Sequence, residues 1–102
     1  MEASVTRLIQ DCFNASKAGT ISFGEVIGQL SGVGVESYFA DYRAGKSTCY
    51  LQDGASLSLD AQQPDIDIPS QFDGDAVRSA IKGAQRGEVK YPEFVALTRA
   101  AG

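Results

Sequence analysis

Apolar residues in this chain follow two periods, and the change between them divides it into three stretches. Near the start, Leu8, Ile9, Cys12 and Phe13 fall at i, i+1, i+4 and i+5, which gathers them on one side of a 3.6-residue helix. Gly19 follows, a residue suited to the left-handed conformation that stops a helix. Thr20-Ile21-Ser22 reads as a short extended piece, and Ser22 with Glu25 has capping-box spacing for a second helix. The same order returns at the far end. GEVKYPEFVALTRAAG, from Gly87, lies over GTISFGEVIGQLSGVG, from Gly19, and the alignment sets Ala76, Val77, Ala80 and Ile81 over the first apolar stripe. Ile21 with Phe23 matches Val89 with Tyr91. Pro92 stands where a first-turn proline is tolerated, and Glu93 suits the helix dipole. Asp73 or Asp75 is placed to cap the third helix. The pattern predicts a helix, short strand and helix used twice, over 5–34 and 73–102, with the two strands pairing.

Between the copies the period becomes two. VESYFADYRAGKSTCYLQDGASLSL is rich in aromatic and β-branched residues and is broken at Ala44-Gly45 and Asp53-Gly54, which predicts a three-stranded antiparallel meander over 35–59. A two-residue turn at Asp53-Gly54 sets Tyr50 opposite Leu57 and Cys49 opposite Ser58. Carried through the wider turn from Arg43 to Lys46, the register puts Phe39 beside Tyr50 and Tyr38 beside Leu51. One face then holds Val35, Phe39, Tyr50, Leu57 and Leu59, the more continuous apolar set, and is assigned to the helices. The other holds Tyr38, Tyr42, Cys49 and Leu51 among serines and is left half-polar. A slip of one residue would exchange the faces. The expected architecture is one α+β domain over 1–102: two pseudo-repeated units packed on a small antiparallel meander, with an acidic linker over 60–72.

Length and charge narrow the function. With 102 residues the chain suits one small core, and a net charge of -4 opposes general binding to a phosphate backbone. MEASVTRLIQ has no apolar run of signal-peptide length and no segment reaches the ~20 apolar residues of a membrane span, so a cytoplasmic setting without membrane contact is expected. Two paired helix-loop-helix units invite a calcium reading, but the ligands fail. Neither repeat carries alternating carboxylates, and Pro69 follows Asp65 and Asp67 where a third ligand belongs. Ile66, Ile68 and Phe72 are instead expected to pin the linker. Cys12 and Cys49 form no CxxC, and Cys12 lies on the helical stripe as a structural thiol, with Cys49 expected to be partly exposed. The chain has no histidine, which removes the commonest general base. Glu25 and Glu93 are explained by capping. No catalytic residue, metal or cofactor is expected.

Two groups of residues invite binding. Arg78, Lys82 and Arg86 recur every four residues on the third helix as a basic stripe, while Asp53 to Asp75 supplies six acids and no base as its internal counterpart. Tyr38, Tyr42 and Leu51 stand on the half-polar sheet face.

Gly34-Val35-Glu36-Ser37-Tyr38 with Asp41-Tyr42, then Thr48-Cys49-Tyr50-Leu51-Gln52-Asp53-Gly54, and above all the run from Ile81 to Gly102, resemble a family of small bacterial and prophage proteins of uncharacterised function, sometimes labelled "phage envelope protein". The resemblance covers essentially the whole chain and brings no activity, cofactor or catalytic residue with it. It implies an aromatic hairpin of about thirty residues beyond the position of Gly102, as does repeat counting, and hence an open sheet edge or apolar patch here. The expected function is a non-enzymatic accessory module that binds a protein, or itself, through Tyr38, Tyr42, Leu51 and that edge. The alternative is weak nucleic-acid binding through Arg78, Lys82, Arg86 and the tyrosines.

Overall fold

The structure is a computed structural model that describes residues 1–61 and 66–102. Its order is α1 (Ala3–Ala18), α2 (Phe23–Gly32), β1 (Val35–Asp41), β2 (Lys46–Leu51), β3 (Ser56–Asp60), α3 (Gly74–Gln85) and α4 (Tyr91–Ala100). The α+β class follows from sequence as expected. Both helical pairs turn by the same bonds. At Gly19 (φ 73°) its N–H donates to Ser16 O at 3.0 Å and Thr20 N–H to Ala15 O at 3.1 Å. At Gly87 (φ 76°) the N–H donates to Ala84 O at 3.0 Å and Glu88 N–H to Gly83 O at 2.9 Å. This pairing closes a helix end around a left-handed glycine.

The strands expected at Thr20–Ser22 and Glu88–Lys90 do not form; both stretches are bends and irregular backbone. The donors a ladder would need are already taken. Thr20 and Glu88 close the helices, Val89 N–H also goes to Gly83 O, and Ser22 N–H goes to Glu25 Oε1 at 3.1 Å within the capping box. Asp73 caps α3 by accepting from Ala76 N–H at 3.0 Å.

The sheet is antiparallel in the order β1-β2-β3. Its register departs from expectation at both turns. Leu51 N–H donates to Ala55 O at 2.8 Å, so Gln52, Asp53 and Gly54 (φ 90°) form a three-residue loop, with Asp53 Oδ1 accepting from Ala55 N–H. Cys49 therefore faces Leu57 and Tyr50 faces Ser56. That one-residue difference moves Leu57 and Leu59 to the side of Cys49 and Leu51. At the first turn Tyr38 faces Cys49 and Phe39 faces Thr48, a shift of two that leaves the sides of β1 and β2 unchanged, and an irregularity between Val35 and Ser37 turns Val35 to face Leu51.

The helix-facing side is thus the one expected to stay half-polar. Ile9, Cys12, Val26 and Leu30 from α1 and α2 meet Val35, Cys49 and Leu51, with Phe13, Tyr38, Leu57 and Leu59 packed around them. α3 and α4 pack on each other through small residues, Ala80, Gly83 and Ala84 with Val95 and Ala101. A Cβ on Gly83 would sit 2.6 Å from Val89 Cγ2, so only glycine permits that approach. α1 contacts α4, and α2 contacts α3. The pins expected in the linker are weaker: Ile66 is half-buried, while Ile68 and Phe72 are exposed. Asp65 lies outside the described residues.

Candidate interaction surface

Tyr38, Tyr42 and Leu51 point toward the helices, which corrects their expected place on an open face. The cause is the three-residue loop, which gave the helices the Cys49 side. Leu51 is buried in the core. The Tyr38 ring meets Phe13 edge to face at 5.7 Å, and burial, then the neighbouring Cys49, raises its pKa. The Tyr42 hydroxyl lies 3.1 Å from Thr98 Oγ1. Since Thr98 Oγ1 uses its own proton on the carbonyls of Phe94 and Val95, Tyr42 donates to it. Tyr91 meets Ser47 in the same layer, and burial pushes its hydroxyl up to about 12.

What the register leaves open is the opposite side, with Phe39 60% and Tyr50 46% exposed. Phe39 faces Thr48, and Tyr50 lies two residues along β2 on the same side, so the rings are diagonal neighbours within aromatic reach. Thr48 Oγ1 and Ser58 Oγ join at 2.9 Å across the next pair of strands. The surface is therefore two aromatic rings beside a row of hydroxyls. Sequence reasoning had both rings on one face, but set them directly opposite each other, added Val35, Leu57 and Leu59 to that face and turned it toward the helices.

The basic stripe is partly neutralised. Arg78 Nη1 meets Asp75 Oδ1 at 2.8 Å and Arg86 Nε meets Glu88 Oε2 at 3.0 Å, all four side chains largely exposed. Lys82 is exposed on the same helix. Exposed pairs of this kind contribute about 1 kcal/mol or less, so they temper the stripe more than they stabilise the helix.

Both thiols are buried, Cys49 fully, which corrects the expectation that it is partly exposed. Burial raises Cys12, and burial together with Cys12 pushes Cys49 up to about 11. Both are neutral thiols at physiological pH, far from the thiolate a nucleophile needs. Among the described residues no group of three or more Cys, Asp or Glu could hold a metal ion, and no helix is long and apolar enough to cross a membrane.

The fold and surface define a small α+β domain with an aromatic, solvent-facing sheet. The chain belongs to a protein family described as "Protein of unknown function (DUF1398)", which matches residues 6–102. No curated protein and no solved structure matches the chain.

Proposed function

We propose that this is a non-enzymatic interaction module of bacterial or prophage origin, and that it binds a protein partner through the open face of the sheet. The observation that carries the reading is the exposure of Phe39 and Tyr50 on one face of regular strands. Rings on strands bind without the ordering entropy of a loop, and aromatic anchors dominate protein interfaces. The outer edges of β1 and β3 extend the surface as sites for strand addition, including self-association. The first helical pair backs the face directly and α4 joins it through Thr98 and Tyr91, and we read the two pairs as copies of one unit on the strength of their matching glycine stops. Superposing 5–31 on 73–99 checks that: unrelated crossing angles of the two pairs would reject it.

The test is capture from bacterial lysate with wild type, Phe39→Ala, Tyr50→Ala and Arg78→Glu/Arg86→Glu, each with and without nuclease and each checked for an unchanged melt. A partner that survives nuclease and charge reversal but is lost with either aromatic supports the reading. Capture that vanishes with nuclease or charge reversal and survives both aromatic changes moves the contact to α3 and to nucleic acid.

A further inference from the structure

The two edges of the sheet are not equivalent. Leu51 N–H bonds to Ala55 O between β2 and β3, and the register then sets Cys49 on Leu57 and Ser47 on Leu59. Bonded pairs alternate along an antiparallel ladder, so these residues of β2 serve β3, while Lys46, Thr48 and Tyr50 serve β1 through Asp41, Phe39 and Ser37. The N–H and C=O groups of Tyr38 and Ala40 therefore point out of the sheet, and neither residue has a further backbone partner among the described residues. On β3 the outward groups belong to Ser56, Ser58 and Asp60, and there Lys17 Nζ reaches Asp60 O at 3.3 Å. A lysine laid on an edge guards it against strand pairing. Among the described residues, no lysine does the same on β1.

Beside the β1 edge lies a groove between α2 and β1. Ile27, Leu30, Val35, Glu36 and Tyr38 help to line it, and it encloses about 220 Å³. That falls below the roughly 300–1,000 Å³ of small-molecule sites and suits side chains. Leu30 and Val35 are buried there while Ile27 is 39% exposed, so the groove keeps apolar surface in reach of water. A strand added to β1 sends every second side chain to the helix side, level with Tyr38 and this groove. Glu36 is the one charged residue among those lining it, and it is exposed. The ion pairs of the described residues are Arg78 with Asp75 and Arg86 with Glu88, and residues 62–65 contain no base, so Glu36 has no basic partner from any of these. A second copy fits the edge poorly: β1 carries Glu36 and Asp41 and no base, so β1 against β1 joins acids without a counter-charge.

We propose that β1 takes up an extended segment of a partner protein as a fourth strand, bonded to Tyr38 and Ala40, with an aliphatic side chain in the α2–β1 groove and a lysine or arginine beside Glu36. This rests on the reading above that the sheet binds a protein, and it adds the chemistry of the segment. Main-chain bonds supply affinity, and the groove with Glu36 selects alternating aliphatic residues next to a base.

The experiment titrates the full chain with the capped peptide Lys-Val-Thr-Val-Thr-Val-Lys, with a version carrying glutamate for both lysines, and with two versions N-methylated at alternate sets of residues. The expected result is a saturable shift and slowed hydrogen exchange of the Tyr38 and Ala40 amides, much weaker with the glutamate peptide. One N-methylated peptide should lose binding and the other keep it, because only one edge of an added strand bonds to β1. Glu36→Lys should weaken binding several-fold, and so should Ile27→Gln on the exposed side of α2, each without altering the melt. Phe39→Ala should leave it unchanged, since Phe39 faces the other side of the sheet. No saturable shift, binding kept by both N-methylated peptides, or indifference to both Glu36→Lys and Ile27→Gln would overturn the proposal. So would shifts of the same amides with protein concentration alone, which would put a second copy on the edge. Peptide binding lost with Phe39→Ala, with the Tyr38 and Ala40 amides unmoved, would overturn the added strand and leave the aromatic face standing.

Discussion

The two helical pairs carry aligned sequences and identical glycine stops, yet they bury different things. In α1 and α2 the stripe ends in branched and bulky residues: Ile9, Cys12, Val26 and Leu30 enter the core against the sheet, with Phe13 packed on them. In α3 and α4 the corresponding interior is Ala80, Gly83, Ala84 and Val95, and Ile81, aligned with Phe13, is 42% exposed. The first pair is held by apolar volume against strands; the second by close backbone approach of one helix to its own turn. An amphipathic pattern thus gives a helix and the side it turns inward, while the depth of burial depends on what lies opposite.

The sharpest way to break that contrast is Ile9→Ala. Ile9 is fully buried, and its loss should destabilise the protein by about 2 to 5 kcal/mol through lost transfer energy and a cavity. Chemical denaturation measures it, and a loss below about 1 kcal/mol would remove Ile9 from the core. Gly83→Ala comes next. Its methyl meets the stiff Val89 side chain at 2.6 Å, and overpacking there should cost about 1 to 3 kcal/mol. An unchanged melt would mean that α3 and its turn sit farther apart than described.

Alkaline pH separates the two pairs in another way. The Cys49 thiol, in the first core, is raised from 9.0 to about 11, and the Tyr91 hydroxyl, at the start of α4, from 10.0 to about 12. In each case the folded state holds its proton more tightly than the unfolded chain. Stability is therefore full below about pH 9 and declines as pH rises, the thiol contribution first, toward pH 11, and the tyrosine contribution next, toward pH 12. Cys49→Ala should flatten the earlier part of a melting curve series between pH 8 and 11, and identical slopes in the variant and wild type would contradict the assignment. The smallest effect belongs to Ile81→Ala, about 1 kcal/mol or less, since a half-exposed side chain leaves little cavity. A cost equal to that of Phe13→Ala would restore the equivalence of the two stripes.

Much of this was readable from residues alone because the signals were local. Gly19, Gly87, the Ser22–Glu25 box and Asp73 each act within a few residues, and each stands as expected. The sheet was half legible. Its strands and the grouping of Phe39 with Tyr50 followed from alternation, but the side facing the helices depended on whether Asp53-Gly54 closed a two- or a three-residue loop. Both loops suit the same dipeptide. Apolar continuity then favoured the wrong side, because small Cys49 and Ser47 are the residues buried against the helices while the larger Phe39 and Tyr50 stay exposed.

The hydrogen bond from Tyr42 to Thr98 joins residues 56 positions apart. The first helical pair and the meander can form over short chain separations, whereas α4 must close a long loop before that bond rewards it, at an entropic cost that rises with the logarithm of loop length. On opening, α4 gives up its contacts with α3 and α1 together with the Tyr42–Thr98 bond. Release of this helix would uncover Tyr42, Tyr91 and the buried Ser47 together, so one long-range closure shields three polar side chains at once.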